Sequence, residues 1–94
     1  MTDAYWIAKY EAWIQKCPLA YPLFRQFASE VKAYGHKHFS AASIVYRMRY
    51  EFAVGRFEGK QFPINQNYAK YLGHELMRRE PEFAGFFRTR GPTR

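Results

Sequence analysis

The chain has a single cysteine, few acidic residues and no long apolar run. One thiol, Cys17, excludes an internal disulfide and a zinc site built on cysteines, and fits an intracellular protein. No stretch approaches the roughly 18 apolar residues of a membrane span. The segment Met1-Thr2-Asp3-Ala4-Tyr5-Trp6 lacks the basic and apolar regions of a secretion signal, so a cytoplasmic protein with no membrane partner is expected. Repeats and low-complexity tracts are missing, which excludes a solenoid or a linker. Catalytic signatures are missing too: no glycine-rich phosphate loop follows a strand and no nucleophile elbow occurs. Cys17 falls at a helix end where the dipole disfavours thiolate. The expectation is a non-enzyme without cofactor.

What is present is an aromatic, basic chain. Hydrophobic residues make up 48% and aromatics 20% of 94 residues, a composition that folds rather than staying disordered. The length suits one domain, expected over residues 1–87, with 88–94 a loose basic tail. Fifteen Lys and Arg against eight Asp and Glu leave a net charge of +7, which favours an anionic partner. Residues 1–34 carry +1 of this, so the basicity lies after Gly35.

Hydrophobic spacing predicts four helices. Trp6, Ile7, Tyr10, Trp13, Ile14 and Cys17 form one stripe over 3–16, with Thr2 as N-cap and Pro18 as stop. Pro22 suits the first turn of a helix over 22–34 that buries Leu23, Phe24, Phe27, Ala28, Val31 and Tyr34 and ends at Gly35. Ser40 caps a third helix over 41–53 with Ala41, Ile44, Val45, Met48 and Phe52 inward. Asn65 or Asn67 caps a fourth over about 67–79, carrying Tyr68, Tyr71, Leu72, Glu75 and Leu76 and ending before Pro81. Between the last two, Val54 to Ile64 is punctuated by glycine around Glu58-Gly59 and reads as a short β-hairpin. Phe83, Phe86 and Phe87 call for burial.

A glycine-terminated helix, a four-residue link and a Ser-capped helix have the spacing of a helix-turn-helix. The outer face of the third helix presents Ser43, Tyr46, Arg47 and Tyr50, with Arg49 at its edge, all able to meet phosphates or base edges. Arg56 and Lys60 on the hairpin would form a wing on the phosphate backbone, and Arg88 and Arg90 of the tail would add phosphate contacts. The same Arg and Tyr face also describes a solvated helix or a protein-binding patch.

Other clusters read as structural. Asn65-Gln66-Asn67 precedes a helical run and is a cap before it is a base reader. His36, His38 and His74 lack neighbouring ligands at metal spacing, so no metal is expected. Glu75, Glu80 and Glu82, with Arg78 and Arg79 among them, read as solvated surface ion pairs. Trp6 and Trp13, seven apart on one stripe, read as core.

Taken together, His38-Phe39-Ser40-Ala41, Ile44 to Arg49, Phe62-Pro63-Ile64-Asn65, Tyr68 to Tyr71 and Pro81 through Gly85-Phe86-Phe87-Arg88 resemble a family of small basic proteins encoded by bacteriophages and prophages. The resemblance covers about residues 20 to 90. It implies a mobile-element setting, where small basic proteins are often DNA-binding regulators or inhibitors of host enzymes, and it transfers no catalytic residue. The expected fold is therefore mainly α: four helices with a short β-hairpin, winged-helix-like, or alternatively an all-α bundle. The expected partner is double-stranded DNA, or alternatively an acidic protein surface.

Overall fold

The computed structural model describes residues 3–55 and 64–87. Helix α1 spans Asp3–Lys16, α2 Ala20–Tyr34, α3 Ala41–Ala53 and α4 Tyr68–Arg79, followed by a short 3₁₀ turn over Pro81–Phe83. Three local signals set these limits. At the end of α2, Gly35 adopts φ 121°, and the amides of Gly35 and His36 close back on the carbonyls of Lys32 and Val31. That left-handed turn is open to glycine and strained for other residues. At the start of α3, the Ser40 Oγ accepts the amide of Ser43 at 3.2 Å, satisfying one of the donors a helix start leaves free. Before α4, it is Asn65 whose Oδ1 accepts a backbone amide, that of Asn67 at 2.9 Å; the Asn67 side chain makes no capping bond.

Helix α4 is the hub, packing on α1, α2 and α3, with the 3₁₀ turn folded back on it. Phe24, Val45, Met48, Leu72 and Leu76 are wholly buried between these helices. Gly73 makes the α3–α4 approach possible, since a Cβ there would stand 3.3 Å from the Ala41 Cβ and 3.4 Å from the Phe87 ring. Phe83, Phe86 and Phe87 are all buried, and Phe24 meets Phe87 with ring centroids 5.4 Å apart. The amide of Phe39 donates to the Phe86 carbonyl at 3.1 Å, pairing the link before α3 with the segment after the 3₁₀ turn as an isolated parallel bridge.

The four helices stand where hydrophobic spacing places them, and the described residues contain no strand. They fit an all-α bundle. Of the hairpin expected over 54–64, Val54 and Gly55 instead form the turn that ends α3 and Ile64 is buried outside any strand, while 56–63, the expected tail over 88–94 and Thr2 lie outside the described residues. Two side chains contradict the expected pattern. Tyr34 has the spacing of the α2 core stripe but is 88% exposed: it is the last residue of the helix before the Gly35 turn, and among the described residues only His36 stacks on its ring. Glu75, expected among solvated ion pairs, is buried between α1 and α4.

Candidate functional site

Helix α3 separates cleanly into two faces. Ala41, Ile44, Val45, Met48 and Phe52 are buried, while Ser43, Tyr46, Arg47, Arg49 and Tyr50 point outward. The structure thus brings together the five α3 residues singled out from the sequence, whereas Arg56, Lys60, Arg88 and Arg90 lie outside the described residues. Tyr46 and Tyr50 are 59% and 58% exposed, and Val54, four residues further on, is 49% exposed. Their i, i+4, i+8 spacing lines them up as one aromatic and aliphatic ridge on the solvent side.

The two arginines of this face are anchored rather than loose. Arg47 donates from Nε to Glu51 Oε1 at 2.9 Å, and its guanidinium lies 4.5 Å from the centre of the Phe27 ring on α2. The Glu51 side chain is only 5% exposed, so one face of the Arg47 fork serves a buried carboxylate. Arg49 lies 5.8 Å from the Tyr46 ring and donates from Nη1 to Gln66 Oε1 at 3.4 Å; the Gln66 amide in turn donates to the Ala42 carbonyl at 2.8 Å. Glu51 and Gln66 therefore belong to the site, although the sequence singled out no role for Glu51 and read Gln66 as part of a helix cap. The i, i+4 spacing of Arg47 and Glu51 was a usable signal for the first pair; nothing in the local sequence links Gln66 to Arg49.

Other ionisable residues serve the fold. Glu75 is held at both oxygens: the Tyr10 hydroxyl donates to Oε1 at 2.6 Å and Arg79 meets Oε2 at 2.6 Å. The Arg79 guanidinium also covers the Tyr21 ring at 4.6 Å. The Tyr21 hydroxyl is buried with no hydrogen-bond partner among the described residues, and this burial raises its pKa above the usual phenol value. Glu80 and Glu82 do pair at the surface, but with Arg25 of α2, at 2.6 and 3.7 Å, a partner that the sequence did not point to. His38 Nδ1 lies 3.2 Å from the Gly85 carbonyl, His36 stacks on Tyr34, and His74 is buried. Among the described residues no group of three or more His, Cys, Asp and Glu could hold a metal, and no helix is long and apolar enough to cross a membrane.

No protein-family model, curated protein or solved structure matches the chain.

Proposed function

We propose that the protein is a non-enzymatic DNA-binding protein, a phage or prophage regulator that lays the outer face of α3 against a duplex. The observation that carries this reading is the side-by-side exposure of Tyr46, Arg49 and Tyr50 on a helix whose opposite face is entirely committed to the core. Arg49 spends one long hydrogen bond on Gln66 and keeps its other donors for phosphate or a guanine edge. Arg47 uses Nε on Glu51, and its terminal nitrogens supply the same chemistry. Tyrosine hydroxyls donate to phosphate oxygens and fix register. Arg56, Lys60, Arg88 and Arg90 add sequence-independent attraction through counterion release.

A second reading is a small phage protein whose basic, tyrosine-rich surface docks on an acidic surface of a host protein complex. It is favoured by the Tyr46, Tyr50 and Val54 ridge, whose aromatic and apolar composition suits the centre of a protein interface better than a groove. A gel-shift titration of the full chain on a duplex, repeated over a salt series, decides between them. Retardation that weakens steeply with salt, and that Arg49→Ala reduces, supports the DNA reading. No retardation at low salt overturns it and leaves the protein-docking reading.

A further inference from the structure

We propose that the C-terminal end of α2 carries a binding site for a quaternary ammonium head group, walled by Tyr34, His36 and Phe39, with Glu30 on its rim. These residues and Val31 line an open cleft of about 310 Å³, at the small end of the range of roughly 300–1,000 Å³ typical of small-molecule sites. The site uses none of the α3 residues invoked above, so the two readings stand or fall separately.

Tyr34 is the starting point. Its ring is 88% exposed and contributes little to folding, yet it is held in place: it stacks on His36 with centroids 6.2 Å apart and planes 23° from parallel. His36 in turn meets Phe39 edge-on at 5.4 Å and 67°. Phe39 is anchored by its backbone bond to Phe86, which fixes the far wall to the body of the protein. The ring faces left open by these contacts offer π surface to a cation, and methylated ammonium groups are recognised on such faces without desolvating a hydrogen-bond donor.

Two features set the sign of the ligand charge. Glu30, one turn before Tyr34, lines the cleft and places a negative charge at its rim, where its Oε2 accepts from Gln26 at 3.4 Å. The cleft also sits at the C-terminal end of a 15-residue helix, where the dipole favours positive charge. Lys32 and Lys37 are the nearby bases in sequence; neither lines the cleft, and the Lys32 ammonium rests 5.8 Å from the Phe83 ring instead. A phosphate or carboxylate ligand would face Glu30, whereas a primary ammonium would lose more hydration than a quaternary one on entering an aromatic wall.

The test is a titration of the full chain followed by NMR of the Tyr34, His36 and Phe39 side-chain resonances. The probes are choline, N-acetyl-trimethyllysine amide and 3,3-dimethyl-1-butanol, the neutral carbon counterpart of choline. Saturable shifts with either cation, at least about tenfold tighter than with the neutral alcohol, are expected from several cation–π contacts plus one carboxylate. The tighter of the two cations identifies the source as a free head group or a methylated side chain. Removing one exposed ring by Tyr34→Ala should weaken the cation roughly 2- to 5-fold or more, and Glu30→Gln should narrow the margin over the alcohol. Both substitutions are at exposed positions and leave the thermal midpoint in place as a folding control. Equal affinity for choline and its neutral counterpart, no saturable shift, or an unchanged affinity in Tyr34→Ala overturns the proposal.

Discussion

Tyr10 on α1 donates its hydroxyl to Glu75 on α4 across 2.6 Å, a buried bond between residues 65 positions apart. It ties the first helix to the last, and Arg79 completes the carboxylate's partners from one turn along α4. The surrounding rings are apolar: Tyr10 lies 5.5 Å from Tyr71 and 6.0 Å from Tyr68, and Trp13 stacks on Tyr68 at 4.7 Å. In that setting the hydroxyl is worth more to the carboxylate than water would be.

Two identical substitutions should therefore have opposite outcomes. Tyr10→Phe strips a buried carboxylate of a donor and should cost about 1 to 3 kcal/mol. At roughly 4 to 8 °C per kcal/mol for a domain of this size, calorimetry resolves the loss easily. Tyr21→Phe removes a hydroxyl that is already buried without a partner, so it should be neutral or stabilising while keeping the Arg79 stacking. Destabilisation of Tyr21→Phe equal to that of Tyr10→Phe would show that its hydroxyl is bonded after all.

The Tyr21 hydroxyl also gives a pH signature. Its folded pKa is raised by burial, so the folded state holds this proton more tightly than the unfolded chain. The resulting stability is fully present below the ordinary phenol pKa of about 10 and is lost as pH rises through the folded value. Urea midpoints measured from pH 8 to pH 11 should fall less steeply in Tyr21→Phe than in the parent chain. Parallel curves would contradict this.

What was legible in the sequence is what local chemistry dictates. Pro18, Gly35, Ser40 and Pro81 punctuate the chain, and the three- and four-residue spacing of apolar side chains places four helices and most of their buried faces. What was not legible depends on where helices end up relative to one another. The spacing of Tyr34 matches a core stripe, but its side chain stands 88% exposed at the end of α2, where among the described residues only His36 stacks on it. Glu75 looks like a surface charge until α1 brings Tyr10 against it. Arg47 and Arg49 were identified as outward-facing, yet their anchoring by Glu51, Phe27 and Gln66 draws on three separate segments.

That anchoring changes what Arg47→Ala should do. From its exposure alone the substitution would fall within about ±0.5 kcal/mol. Because it removes a 2.9 Å partner from the buried Glu51 and uncovers the Phe27 ring, a loss of about 1 kcal/mol is expected, with Arg49→Ala closer to neutral. Urea unfolding of the two variants side by side checks the difference. Equal stability would mean that the Glu51 contact contributes nothing, and Arg47 could then serve as a binding probe without correction.

Gly73 sets the α3–α4 spacing. An added Cβ would stand 3.3 Å from the Ala41 Cβ, tight enough that α3 must give by a few tenths of an ångström. For Gly73→Ala that strain opposes a helix-propensity gain of about 1 kcal/mol, so the net change should be small. Gly73→Val adds two further methyl groups against Ala41 and Phe87 and should cost about 1 to 3 kcal/mol. Thermal midpoints in the order glycine, alanine, valine, with the large step last, are expected. A valine variant as stable as the parent would show that the helices can part freely.

The last prediction separates charge attraction from recognition on the α3 face. If the protein binds duplex DNA, the logarithm of its affinity should fall with the logarithm of salt concentration at a slope of about −0.9 per phosphate contacted. Deleting residues 88–94 removes three arginines and should lower both the affinity and that slope, on every sequence alike. Arg56→Ala and Lys60→Ala should behave in the same way, each reducing the slope by about one. Arg49→Ala should differ. An arginine that reads a guanine edge contributes roughly 1 to 3 kcal/mol of discrimination, so its loss should shrink the preference for a selected site more than the general affinity. Met48→Ala, which empties a wholly buried position and should cost about 2 to 5 kcal/mol of stability, shows how far unfolding alone mimics a binding defect. If Arg49→Ala and Tyr50→Ala leave both affinity and preference untouched while the deletion abolishes binding, attraction to DNA resides in the basic segments and α3 is not a recognition helix.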